Sequence, residues 1–192
     1  MPRTGLTPTR VVAEAAAVAD EVGIDHLTLA AVADRCGVAL PSLYKHIQGL
    51  DGLRRDLAVL GMDQLATALT RAAIGRSGRD ALASTAHAYR AFATEHPGLY
   101  AATLRAPRAE DHEHTAAAQA VLDVALAVCG SYGIEGPEAV HAIRFHRSAL
   151  HGFVSQEATG AFGMPDSVET SYQRVIEALH LALSHWTELT PQ

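Results

Sequence analysis

The segment Cys36-Gly37-Val38-Ala39-Leu40-Pro41-Ser42-Leu43-Tyr44-Lys45-His46 constrains this chain more than any other stretch. A helix-length pattern ends at Gly37, and a second, very short helix follows at once. Pro41 must lie in the first turn of that second helix, where the amides have no helical partners to lose. Leu43 and Ile47, spaced i and i+4, then hold the short helix against its neighbours. Ser42, Tyr44, Lys45 and His46 are left over as four groups that can donate a hydrogen bond to phosphate or to a base edge. Lys45 is the only lysine in 192 residues. Two helices set at an angle by a glycine turn, the second carrying such donors, form the arrangement with which a helix-turn-helix reads DNA.

The rest of the sequence extends this pattern into an all-α chain of about nine helices, with no convincing strand. Val11, Ala15, Val18 and Val22 share one face of a helix predicted over Pro8–Val22, with Thr7 as its cap and Gly23 as its left-handed stop. Thr28 is the predicted N-cap of the next helix, whose apolar face is Leu29, Val32, Ala33 and Cys36. Asp51 is expected to cap a long helix to about Ala73, and Asp80 a fifth helix to Glu95. A short sixth helix is expected to reach about Arg105, and a seventh to run from about Asp111 to Cys129. The eighth is predicted over Pro137–Ala158. Asp166 opens the last, with Glu169 three residues on as a capping box.

Composition narrows the function classes. The net charge is −6, but residues 1–55 hold six basic and six acidic side chains, so the excess acid lies entirely outside the segment that would face DNA. No apolar run reaches the about 18 residues of a membrane span, and the N-terminus lacks a charged-then-apolar signal pattern. Cys36 and Cys129 are far apart and without a CxxC spacing, which fits reduced thiols and a cytoplasmic location. Eleven histidines invite a metal reading. His141, His146 and His151 recur every five residues, however, and a five-residue step turns a helix by about 140°, so they share no face. Neither a metal nor a cofactor is expected. No nucleophile elbow, phosphate loop or HExxH supports an all-α enzyme built on the histidine-rich second half. That enzyme, and a helical module that docks protein instead of DNA, are the alternatives.

Residues 7–55 resemble the DNA-binding domain of TetR-type transcriptional repressors. The resemblance rests on Leu27-Thr28, Val32-Ala33, Cys36-Gly37-Val38, Leu43-Tyr44-Lys45-His46-Ile47 and Leu53. Arg147-Ser148-Ala149-Leu150-His151-Gly152-Phe153, followed by Gly160-Ala161-Phe162, is similar to one C-terminal branch of that family, the WHG or TetR C-terminal type 33 domain. The resemblance implies a helix-turn-helix domain over residues 1–52 and a helical effector-binding and dimerisation domain over 53–192. It implies a homodimer whose two readers enter successive major grooves of a palindromic double-stranded operator, released by a small-molecule effector. By position, Thr28 and Tyr44 would hold phosphates. Leu40, Pro41, Ser42 and Lys45 would face bases, and His46 would sit near the backbone. Two departures stand out: Ala39 replaces the usual hydroxyl cap of the reading helix, and Leu50 replaces a common lysine that Arg54 or Arg55 would have to stand in for.

In the second half, Met62, His87, Phe92, Tyr100, Leu104, His114, Arg144 and His146 are the candidates for lining an effector pocket between the middle helices. Gly152 and Ala149 are small residues inside a helix, where another helix could come close. The last two helices are therefore expected to pair with their copies in a four-helix dimer interface. Arg147, Leu150, His151, Val154, Tyr172, Val175, Ile176, Leu179, Leu183 and Trp186 are its expected members.

Overall fold

The computed structural model describes residues 5–189. Among them the chain forms nine α-helices and no strand. These are α1 (Pro8–Val22), α2 (Leu29–Cys36), α3 (Leu40–Leu43), α4 (Gly49–Ala73), α5 (Gly78–Glu95), α6 (Pro97–Ala102), α7 (His112–Gly130), α8 (Gly136–Ala158) and α9 (Val168–Ser184). Single 3-10 turns cover Ile24–His26 and Trp186–Leu189. No helix among the described residues is long and apolar enough to cross a membrane.

The early helix ends follow their capping residues. Thr7 accepts from the Arg10 amide at 3.2 Å to start α1, and Gly23 ends it at a φ of 85°. Thr28 does the same for α2, accepting from Ala31 at 3.2 Å. Three later starts differ from expectation. Helix α4 opens at Gly49, before Asp51, because the Asp51 carboxylate is drawn to Arg105 at 2.9 Å and Arg108 at 3.3 Å. Helix α5 opens at Gly78, which leaves Asp80 in its first turn. Ser167, not Asp166, caps α9, accepting from Thr170 at 3.2 Å. The expected capping box does not form, since Glu169 is held by Arg90 at 2.5 Å and by Gln173 at 2.9 Å. Helix α6 stops at Ala102, three residues short of Arg105, and the Thr103 hydroxyl donates back to the Tyr100 carbonyl at 2.7 Å.

The chain divides into two compact units. The first comprises the residues up to Gln64 together with Glu95–Ala118. Here α1 packs on both α2 and α6, and α2 packs on α3. Val11, Ala15, Leu27, Val32, Leu43, Leu53, Leu57 and Leu99 are buried. The start of α6 is fastened to α1 by Asp20, whose Oδ1 accepts from the Gly98 and Leu99 amides, each at 2.9 Å. Its Oδ2 lies 3.2 Å from the His96 ring. A carboxylate at a helix start satisfies two orphan amides and faces the positive end of the helix dipole.

The second unit comprises Leu65–Thr94 together with the residues from Gln119 onward. Arg90 organises it, pairing with Glu157 at 2.5 Å and lying 4.7 Å from the Tyr172 ring centre. The Tyr172 hydroxyl donates to the Ala86 carbonyl at 2.6 Å. Six residues of the expected dimer face contribute to this packing. Leu150, Val154, Tyr172, Ile176, Leu179 and Leu183 are buried within the single chain, so their stripe serves the chain's own core. A wide apolar stripe on a helix fixes that one side is covered, not by which molecule. Val175, His151 and Trp186 are half-buried and Arg147 is exposed. The large apolar side chains that α8 and α9 leave exposed are Val140, Phe145 and Leu181.

Candidate nucleic-acid interface

The reader is built on a Schellman closure of α2. Gly37 takes the left-handed conformation, φ 68° and ψ 36°, and its amide donates to Asp34 at 2.9 Å while Val38 donates to Ala33 at 3.0 Å. This 5→2 and 6→1 pair ends a helix sharply and needs φ > 0 at the position glycine occupies. The chain then enters α3 through Ala39, which is extended and offers no side-chain cap.

Helix α3 is a single turn. Beyond Leu43 the backbone continues as turns, with the His46 and Ile47 amides both donating to the Leu43 carbonyl, at 2.8 and 3.1 Å. Tyr44, Lys45 and His46 therefore sit on tight turns immediately after the helix. Leu43 and Ile47 are buried, as their spacing predicts. Tyr44 is 58% exposed and Leu40 38% exposed. Thr28, Pro41 and Lys45 are exposed, and Ser42 and His46 are half-buried. The structure thus brings Leu40, Pro41, Ser42, Tyr44, Lys45 and His46 into one short surface segment. Thr28 lies at the start of α2, its hydroxyl already committed to the Ala31 amide.

A cleft of about 420 Å³ separates this segment from the first turns of α4. Tyr44, Lys45, His46 and Gln48 line one side, and Gly52, Arg55 and Asp56 the other. Gln48 is exposed there and adds an amide to the donors of this segment. Its polarity at the break between α3 and α4 is the sequence signal for it.

Neither arginine replaces the lysine missing at position 50. Arg54 turns inward and donates to the Ile24 and Asp25 carbonyls at 3.3 and 3.4 Å. Arg55 makes a two-pronged bond to Asp111, at 2.7 and 2.5 Å, and also meets Asp56 at 3.0 Å and Glu113 at 2.7 Å. The guanidinium holds the Asp111 carboxyl far below the usual carboxylate range, and these carboxylates in turn push Arg55 up. Arg35 is similarly paired with Glu14 and Glu21. Lys45 makes no ion pair among the described residues.

The effector candidates fall in both units. Met62, Tyr100 and His114 are buried in the first and Phe92 in the second. Leu104, His87 and Arg144 stand at the surface of their own units rather than in an interior. His87 is taken up by Gln173, 3.1 Å away, and by the edge of Tyr172. His146 is half-buried and bonds the Ala142 carbonyl of its own helix at 3.2 Å, and burial pushes its imidazole down. His114 is only 2% exposed, and its Nε2 has no hydrogen-bond partner among the described residues. Burial pushes its imidazole down as well.

Known proteins share this arrangement. The family described as bacterial regulatory proteins, tetR family, matches residues 11–57. The tetracyclin repressor-like C-terminal domain matches residues 82–179. The chain is 41% identical over 152 residues to the uncharacterized HTH-type transcriptional regulator Rv0681 of Mycobacterium tuberculosis, covering 79% of this chain and 68% of that protein. It is 38% identical over 167 residues to the uncharacterized HTH-type transcriptional regulator YobS of Bacillus subtilis, covering 87% of each. In fold it is similar to a TetR variant from Acinetobacter baumannii AYE solved in complex with minocycline. That match has a TM-score of 0.69 at 24% identity and covers 95% of this chain and 98% of that one. With its glycine-closed reader and both family segments in place, the chain is a helix-turn-helix transcriptional regulator and belongs to the tetR family of bacterial regulatory proteins.

Proposed function

We propose that this regulator is a cytoplasmic homodimeric repressor. It binds a palindromic operator through residues 1–52 and releases it when residues 53–192 take up a small molecule. The observation that carries the DNA reading is the segment Leu40–His46, in which every side chain but Leu43 reaches the surface and the lysine makes no ion pair among the described residues. Thr28 and Tyr44 hold phosphates, Leu40, Pro41, Ser42 and Lys45 face bases, and His46 lies by the backbone.

The effector reading is supported by His114, a buried imidazole whose Nε2 meets no hydrogen-bond partner among the described residues and whose titration burial pushes down. A buried polar atom without a partner costs about 1–3 kcal/mol, and a ligand group that bonds it would recover that. The dimer reading is supported by Val140, Phe145 and Leu181, exposed on the last two helices, and by Gly152, where an added Cβ would meet nothing within 4 Å. Release follows if the effector binds one spacing of the two readers better than the other.

The test is selection of duplexes from a random pool by the full-length protein, followed by gel retardation at low salt. A palindromic duplex retarded at submicromolar protein is the expected result. A pool that yields no retarded duplex at micromolar protein overturns the DNA reading.

A further inference from the structure

Ala39, Leu40 and Pro41 are exposed in succession at the opening of α3. The apolar residues that this segment needs for folding, Leu43 and Ile47, are already buried, so the three have no structural task in the core. None offers a side-chain polar atom, and Pro41 lacks an amide hydrogen as well. They adjoin Ser42, Tyr44 and Lys45, the donors of the DNA-facing segment, and so continue the same surface.

An apolar patch inside a DNA-reading surface has one match among the base edges. In the major groove only thymine presents a methyl group. The other edges present hydrogen-bond donors and acceptors, and these would be dehydrated against a leucine with nothing returned. We propose that Leu40 and Pro41 read thymine methyl groups, so that each operator half-site carries a thymine opposite the opening of α3. Consecutive residues of one helical turn rise about 1.5 Å, less than one base-pair step of about 3.4 Å, so the pair covers one or two adjacent positions. This inference rests on the DNA-binding reading and adds to it what the apolar half of the reader recognises.

Deoxyuridine pairs as thymidine does and removes only the methyl group, which makes it the probe. Duplexes selected by the full-length protein are resynthesised with deoxyuridine replacing thymidine at one position at a time. Binding is followed by fluorescence anisotropy at fixed salt. Loss of one buried methyl should weaken binding about four-fold. Substitution in both half-sites of a palindrome should weaken it roughly 15-fold. The sensitive positions should number one or two per half-site and be adjacent. Leu40→Ala or Pro41→Ala, checked for folding by circular dichroism, should bind the thymidine and deoxyuridine duplexes alike at those positions. A selected duplex with no sensitive position overturns the inference while the DNA-binding reading stands. So does sensitivity that persists in both variants. A pool yielding no bound duplex, with the reader docking protein instead, overturns both.

Discussion

Gly98→Ala should be the most damaging single-methyl change in the first unit. A Cβ at position 98 would lie 2.6 Å from the Asp20 nitrogen and would overlap the Ala19 carbonyl outright. Both obstacles are backbone in the last turn of α1, so no side chain can rotate away. Ordinary contact between heavy atoms begins near 3.5 Å, so α6 must withdraw from α1 by roughly 1 Å. That movement stretches the two 2.9 Å bonds that Asp20 accepts from Gly98 and Leu99 beyond useful length. Overpacking costs about 1–3 kcal/mol, and weakening bonds to a charged acceptor adds about 1.5–3 kcal/mol. A total near 4 kcal/mol corresponds to a fall in Tm of roughly 10 °C for a chain of this size. Thermal unfolding followed by circular dichroism at fixed protein concentration measures it. Gly130→Ala is the control, because a Cβ there meets nothing within 4 Å. A Gly98→Ala Tm within 2 °C of the parent, or one matched by the control, would refute the close approach of α6 to α1.

Two further changes test neighbouring conclusions. Ala39→Ser supplies the cap that α3 lacks at a position already in extended backbone, and should stabilise the protein by about 0.5–1 kcal/mol in urea denaturation. An unchanged midpoint would mean the α3 amides are satisfied otherwise. His114 governs a pH effect: its imidazole is pushed below its ordinary value by burial, so the unfolded chain binds the proton first as pH falls. Stability is therefore fully present above about pH 6.5 and declines as pH drops below it, and half-buried His146, shifted the same way, adds to the decline. His114→Leu should reduce the loss of Tm between pH 7.5 and 5.5 and leave stability at pH 7.5 equal or higher. A variant that is clearly less stable at pH 7.5 would show that Nε2 has a partner in solution.

Local signals explain which parts of this structure were readable. Thr7, Thr28 and Gly37 act on atoms within five residues of themselves, so their roles in α1 and α2 follow from spacing alone. Asp51, Asp80 and Asp166 carry the same cap signature, yet none starts its helix. For Asp51 the reason is specific: Arg105 is 54 positions away in sequence and offers a full positive charge, which outweighs a neutral amide. The stripe on α9 was legible as a buried face, but whether its cover is the chain itself or a copy depends on partners such as Ala86, which no periodicity encodes. Likewise the exposed Leu40–His46 surface could be read from Leu43 and Ile47, whereas the orphaned ring nitrogen of His114 could not, since satisfaction depends on everything that surrounds it.

The same non-local pairing sets how steeply DNA binding should depend on salt. Each phosphate neutralised by a protein cation contributes about −0.9 to the slope of log K against log salt. Around the reader, Arg35, Arg54 and Arg55 are all engaged with protein oxygens, and of these four Lys45 alone makes no ion pair or hydrogen bond among the described residues. In the proposed homodimer the two Lys45 side chains supply at most about two phosphate-neutralising cations, for a slope no steeper than about −2. A count of basic residues in the sequence alone would suggest a steeper dependence. Lys45→Ala should flatten the slope further if Lys45 touches phosphate, or leave it unchanged while weakening only particular sequences if Lys45 touches a base. Anisotropy titrations of a selected duplex over a range of salt concentrations separate these outcomes. A parent slope of −6 or steeper would mean that Arg54 and Arg55 leave their carbonyl and carboxylate partners when DNA binds.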